Sequence, residues 1–437
     1  MRAGAATADI TPGVGVPLGG YGNRHGGSTG MADPLLVRVL YLADDDGAEA
    51  VVAVCDLLGV GSDLVRDSRR LIEDDLGIRA EAVLVGATHT HAGPAAFRHG
   101  DAPEYVAVTA RKIAGAVAVA RRVAVPVSLK VGTVRVPNVG RNRRHPDGPT
   151  QDDVTVLVAD PGRQLPPVAT LVNGACHATV LEYDNLEYSP DWPGAMARAV
   201  ERAVGGTAIY LQGAAGDVNP VWAGHDLADV ERVGGIMAGA VSRMVNEMRP
   251  LGKGQWCINL SWSEHVEVPV PGRQLEGRLA GARRELELDR RRRPPLEEVD
   301  SQVAEVQAAI DALATDDVDR RRRLRARINE LSVARVWGLA GGGRPTQRLE
   351  VQALRLGDGC AVVSLPGEFF AETGHDIIDR SGCEHLLVAG YSNGSVGYVP
   401  PASAYPEAGY EVGMTQFDPG AAELIADAAV DLVRSLN

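Results

Sequence analysis

Through the first 270 residues, short runs of β-branched and aliphatic residues alternate with longer amphipathic stretches, a pattern of α/β or α+β type. Strands are expected at 36–43 (LVRVLYLA), 50–58, 81–89, 128–136, 153–160, 168–176 and 207–214. Helices are expected at about 62–76, 103–123, 193–205 and 227–248. Asp191 followed by Pro193 reads as a helix start: a capping side chain, then a proline whose missing N–H is no loss in a first turn.

The pattern changes after Pro271. From Leu275 to about Arg335 the chain is dense in Arg, Glu, Leu and Ala. Leu296, Val299, Val303, Val306, Ile310 and Leu313 recur at alternating spacings of 3 and 4, a narrow helical seam. Leu324, Ile328 and Leu331 resume it beyond a polar break at Thr315–Asp317. The expectation is an antiparallel helical hairpin at 271–339, inserted into a domain made of 1–270 and 340–437. Its basic runs, Arg290–Arg293 and Arg320–Arg323, read as solvated helix ends rather than an anion site.

After Gly341–Gly343 the α/β pattern returns. RLEVQALRL (348–356) and CAVVSLP (360–366) read as a hairpin closed by Asp358–Gly359. A helix starts near Glu368, a strand follows at 385–392, and a loop rich in Gly, Pro and Tyr leads to a closing helix. The fold class is therefore α/β, a mixed sheet core flanked by helices, with an inserted hairpin. No internal repeat is visible.

Composition narrows the function. A chain of 437 residues with 45% hydrophobic content has ample material for a core. Its net charge of −13, from 44 basic and 57 acidic residues, argues against nucleic-acid or anionic-membrane partners. No apolar window is long enough for a bilayer, so no stable membrane insertion is expected. The N-terminus lacks an apolar signal core. Cys55, Cys176, Cys257, Cys360 and Cys383 are odd in number and far apart, as in reduced buried thiols. These features point to a cytoplasmic protein whose oligomeric state stays open, the helical hairpin offering a self-association surface.

Polar residues gather where apolar runs end. In GATHTHAGP (86–94), His89 and His91 lie two apart, so a strand would point both to one face. Alone, the pair reads equally well as inert polar residues at a strand end. NGACHAT places His177 at a second such exit, QGAAGDVNP (212–220) places Asp217 and Asn219 at a third, and LPGEFF (365–370) places Glu368 at a fourth. Two histidines and a carboxylate suit zinc with an open position. Asp56 reads equally as a support for the histidines and as a strand-end cap. Cys176 falls on the face opposite His177, as a packed thiol.

The ordered set ADITPG (8–13), ATHTHAGP (87–94), NRR (142–144), CHAT (176–179), GDVNP (216–220), PGEF (366–369) and GYVPPASAYPEAGYE (397–411) resembles the catalytic domain of the neutral/alkaline ceramidase family. The resemblance runs from residue 7 to the C-terminus. It implies a zinc hydrolase acting on linear amides, with His89, His177, Glu368 and Tyr398 as ligands to one Zn2+. It also implies that His91 sits beside the metal and handles protons or substrate, and that Arg143 holds the substrate near its scissile group. Tyr398 is then also a hydrogen-bond donor for the oxyanion, and Asp217 shares proton handling with His91.

Asn219 departs from the family, which carries a serine there; an amide cannot act as a hydroxyl nucleophile, so attack by zinc-bound water is expected. The chain shows neither a secretion signal nor the family's C-terminal β-sandwich, and aromatics are only 4%. The expected substrate is a soluble small-molecule amide. The alternatives are a true ceramidase cleaving N-acylsphingosine, a zinc esterase or lactonase on the same site, and a non-catalytic metal-stabilised scaffold.

Overall fold

Three sheets carry the chain, and all three share one plan. The computed structural model describes residues 1–436 except 97–99, 101, 163–164, 250–254, 260–261, 266–271, 293, 314–316 and 342–343. In the first sheet, β1 (Arg2–Asp9), β2 (Leu36–Ala43) and β3 (Glu49–Cys55) are antiparallel neighbours, and β4 (Val83–Ala87) lies parallel to β3. Helix α1 (Ser62–Leu76) makes the crossover, and α2 (Pro103–Arg122) follows β4 and packs on α1.

The second sheet repeats this order. β5 (Ser128–Arg135), β6 (Gln151–Asp160) and β7 (Ala169–Ala175) are antiparallel, and β8 (Thr207–Gln212) is parallel to β7. Helix α3 (Asp191–Val204) crosses over, and α4 (Leu227–Met248) packs on it. The third sheet begins with β9 (Ala280–Asp289). After helices α5 (Leu296–Asp311) and α6 (Val318–Gly341) the chain returns as β10 (Thr346–Gly357), then β11 (Cys360–Ser364). Helix α7 (Ala371–Ser381) leads to β12 (His385–Ala389), parallel to β11. A short helix α8 (Tyr410–Met414) precedes α9 (Ala421–Leu436), which packs on α7.

Strand alternation sorts the core. Leu40, Val52, Leu84, Leu157, Leu171, Leu211, Leu354, Val362 and Leu387, drawn from all three sheets, form one central apolar cluster. The opposite faces of the first two sheets pack under α1 to α4, and that of the third packs under α7 and α9. The inner strands of each sheet are therefore buried on both faces, which explains why they read as continuous apolar runs.

The fold is of the α/β class expected; Arg2–Asp9, not expected as a strand, forms β1, and three further details differ. The helical insertion is narrower than 271–339, because Ala280–Asp289 forms β9 and pairs with β10 from Ala280↔Arg355 to Asp289↔Thr346. Helix-forming composition conceals a period of two there: Ala280, Ala282, Leu286 and Leu288 are covered while the residues between them are exposed. The hairpin itself is antiparallel, with Val299 against Leu331 and Ala334, and Asp300 paired with Arg335. Of its expected polar break, Thr315 and Asp316 lie outside the described residues, as do Gly342 and Gly343.

Second, Asp191 does not cap α3; its carboxylate accepts from the backbone N–H groups of Val180, Leu181 and Trp192. Third, the chain does repeat, as three β-β-β-α-β-α units. The repetition is one of topology, which needs only apolar positions at the right period and no recurring residues.

Candidate metal centre

In each unit the two parallel strands end on the same side, and their exits converge, as they do at binding sites in open α/β sheets. Glycines let these ends approach: a Cβ on Gly390, just beyond β12, would stand 2.4 Å from the Gly213 carbonyl oxygen beyond β8. The exits of β4, β7 and β11 carry His89, His177 and Glu368. The strand-face argument for His89 and His91 does not hold, because β4 ends at Ala87 and His89 turns through a left-handed backbone, φ 65°. The pair meets anyway, with ring centroids 4.8 Å apart, because Thr90 bridges to Ala178 and ties this loop to the one carrying His177.

The ring nitrogens are set by what lies behind them. His89 Nδ1 is 2.6 Å from the Leu58 carbonyl oxygen, and His177 Nδ1 is 2.6 Å from that of Ala215. Each Nδ1 donates to its carbonyl, which turns Nε2 toward the centre, the usual outer arrangement behind a metal-binding imidazole. There His89 Nε2 and His177 Nε2 stand 3.4 Å and 3.5 Å from Glu368 Oε2. Ligand atoms about 2.0–2.1 Å from a tetrahedral zinc lie about 3.3–3.4 Å apart, so this spacing fits.

His177 Nε2 and Glu368 Oε2 are buried without a hydrogen-bond partner among the described residues. Burial pushes His177 down to about 4, which keeps it neutral. Burial also works against ionisation of Glu368, but His89 and His177 outweigh it and hold the carboxyl well below its usual range. Two imidazole nitrogens and a carboxylate oxygen thus meet in a closed space, a donor set that a cation completes. His91 Nε2 lies 3.2 Å from His89 Nε2, and the donor atoms of the three histidines lie within 4.8 Å of one another. His91 therefore stands beside the two rings that face Glu368.

Arg143 and Tyr398 form the next layer. Arg143 Nη2 donates to the Tyr398 hydroxyl at 3.0 Å and to the Gly216 carbonyl at 2.7 Å, and Nη1 donates to Asn219 Oδ1 at 3.2 Å. Glu368–Phe369 pairs in parallel with Tyr398–Val399, so backbone hydrogen bonding fixes Tyr398 beside Glu368. Burial pushes the Tyr398 phenol well up, opposed by Arg143.

Asp217 stands farther back. Its Oδ2 accepts from Asn142 at 2.7 Å and its Oδ1 accepts from the Ala371 N–H at the start of α7, so both oxygens are engaged away from the histidines. Asp56 is bound to Arg38 and the Leu36 N–H and does not reach the histidines. Cys176 is a free, buried thiol.

Several supporting residues carry no sequence signal of their own. Tyr391 stacks on His89 with ring centroids 4.0 Å apart, and Tyr21 meets His91 edge-on at 4.9 Å. Glu411, visible only as the end of a motif, accepts from Arg143 Nε at 2.7 Å and from Arg144 at 2.8 Å. A cavity of about 60 Å³ opens beside His89, Glu368, Tyr391 and Tyr398. Next to it, an open groove of about 740 Å³ is lined by Arg143, Arg144, His145, Glu407, Tyr410 and Glu411.

No protein-family model matches the sequence, and no curated protein matches it. Among solved structures, the neutral ceramidase from Pseudomonas aeruginosa is similar, with TM-score 0.74 and 20% identity over 100% of this chain and 74% of that one. A ceramidase complexed with C2 is similar at TM-score 0.74 and 17% identity, over 100% of this chain and 75% of that one. The chain thus has the fold of these ceramidases.

Proposed function

We propose that the chain is a zinc-dependent amidohydrolase that cleaves an N-acyl bond, as the ceramidases whose fold it shares are named for doing. The observation that carries this reading is the convergence of His89 Nε2, His177 Nε2 and Glu368 Oε2 at tetrahedral spacing, with both histidines locked from behind. These three residues would hold the metal, with Tyr398, fixed beside Glu368, as a fourth ligand. A zinc ion held there would supply Lewis-acid chemistry, polarising a carbonyl and making water a better nucleophile.

The chain's own groups supply the rest. His91 is kept unprotonated by burial, which pushes it well down, so it can take a proton beside the metal. Arg143 supplies N–H donors for the developing oxyanion, as the Tyr398 hydroxyl would when not bound to the metal. Asn219 anchors Arg143 through Oδ1 and is no nucleophile. Asp217 is a positioning residue: it ties Asn142, adjacent to Arg143, to the helix that follows Glu368.

The groove beyond Arg143 is lined by charged side chains, which suits a soluble amide better than a long acyl chain. The test is metal analysis, then chelation and zinc add-back, with short N-acyl amines, matched esters and micellar N-acylsphingosine as substrates. Activity should fall with metal removal and return with zinc, with short amides preferred. Full activity in metal-free protein overturns the reading; faster turnover of N-acylsphingosine or of the esters overturns its substrate half.

A further inference from the structure

A second cavity, of about 630 Å³, opens between α1, the start of β10 and the loop after β12. Six arginines line it: Arg66, Arg69, Arg70, Arg283, Arg290 and Arg348. Only Glu73, Glu285 and Glu350 oppose them, so the lining carries +3 on a chain of net −13. Glu350 is already taken by Arg69 at 2.7 Å and Arg283 at 3.1 Å. Among the described residues Arg66 and Arg70 pair with aspartates on their own helix, the half-buried Asp67 and the exposed Asp74, contacts that add little.

Arg290 belongs to a run that reads from sequence as a solvated helix end, but it continues β9 into this cavity instead. Its hydrogen-bonded side-chain partner is the neutral Gln347, and its Nε is buried without a partner among the described residues. Gln416, 2% exposed, lines the same space; its Nε2 donates to the Val396 carbonyl and its Oε1 has no partner among the described residues. An unmet cationic donor and an unmet acceptor, both covered by neighbouring groups, thus lie in the wall of one basic cavity.

We propose that this cavity binds a small polyanion that also carries a hydroxyl, of the hydroxy-polycarboxylate or sugar-phosphate class. Guanidinium groups take the anionic oxygens, and rotation of the Gln416 amide turns its covered Oε1 to the hydroxyl. The cavity shares Gly394 and Ser395 with the small cavity beside Glu368, so the ligand sits against the far side of the loop that leads to Tyr398.

Calorimetric titration of the full chain at low ionic strength with citrate and with ribose 5-phosphate tests this. Binding of either tighter than about 1 mM is expected, and which one binds identifies the source. It should weaken at least tenfold in Arg290→Gln and in the Arg66→Gln/Arg348→Gln double variant, whose side chains are exposed and whose folding is safe. It should survive in Arg111→Gln, an exposed arginine outside the cavity, and in His89→Ala, which separates this site from the metal. The proposal is overturned by absence of saturable binding, by unchanged affinity in both cavity variants, or by equal loss in Arg111→Gln or His89→Ala.

Discussion

His89 sits in a left-handed backbone, φ 65°, which costs about 1–3 kcal/mol and persists only where surrounding structure demands it. Here the Leu58 carbonyl and the Tyr391 ring hold the imidazole in that strained position. His89→Ala is expected to abolish stoichiometric zinc. His91→Ala should retain zinc and lose about 10²–10⁴-fold in kcat, the usual range for removing a proton-transfer group. Zinc content of the two purified variants checks this, and loss of metal in both makes His91 a ligand.

Asp191 offers a prediction of a different kind. Burial raises its carboxyl from 3.8 to about 6, against the N–H groups of Leu181, Trp192 and Val180. A carboxyl whose folded pKa is raised holds its proton more tightly when folded, so its contribution is present at low pH and lost as pH rises from about 4 to 6. The stability of wild type relative to Asp191→Asn should fall across that window, on the order of 3 kcal/mol. Denaturant melts at pH 4 and pH 7 measure it, and a constant gap refutes it.

Among the elements, the loops matter more than the strands they leave. Gly20 has φ 98° and faces the His91 ring, where a Cβ would stand 2.5 Å from Cγ. Gly20→Ala is expected to displace the His91 ring and lower kcat at least tenfold with zinc content unchanged; an unchanged kcat removes the loop from the mechanism. The α5–α6 hairpin joins two strands already paired at Asp289↔Thr346. Replacing 295–342 with a short Gly-Ser turn should preserve zinc content and the core, because the ladder on either side closes without it. Sedimentation velocity of the same variant reads whether the hairpin holds copies together.

At the scale of the whole molecule, the site draws one group from each unit: His89 from the first, His177 from the second and Glu368 from the third. A bound ion therefore links all three sheets at the ends away from their shared apolar cluster. Removing it should lower stability by RT ln(1 + [L]/Kd), about 4 kcal/mol at a thousandfold excess over Kd. A calorimetric Tm that is the same with and without chelator contradicts this linkage.

The apolar pattern by itself determined most strands and the first four helices, because side-chain period follows directly from backbone geometry. β2 and α1 fall within their expected bounds. The same pattern could not reveal β9, where Arg, Glu and Leu suit a helix as well as an exposed strand, nor the threefold plan, which no residue repeats. The polar residues at strand exits and their resemblance to a ceramidase motif set marked His89, His91, His177, Glu368, Arg143 and Tyr398 as candidates. Only the tertiary structure decided that these groups converge, that Asp217 turns away to serve α7, and that Arg290 lines a cavity rather than facing solvent. Convergence depends on contacts between residues far apart in the chain, such as Thr90 with Ala178 and Glu368 with Tyr398. No local period encodes those contacts.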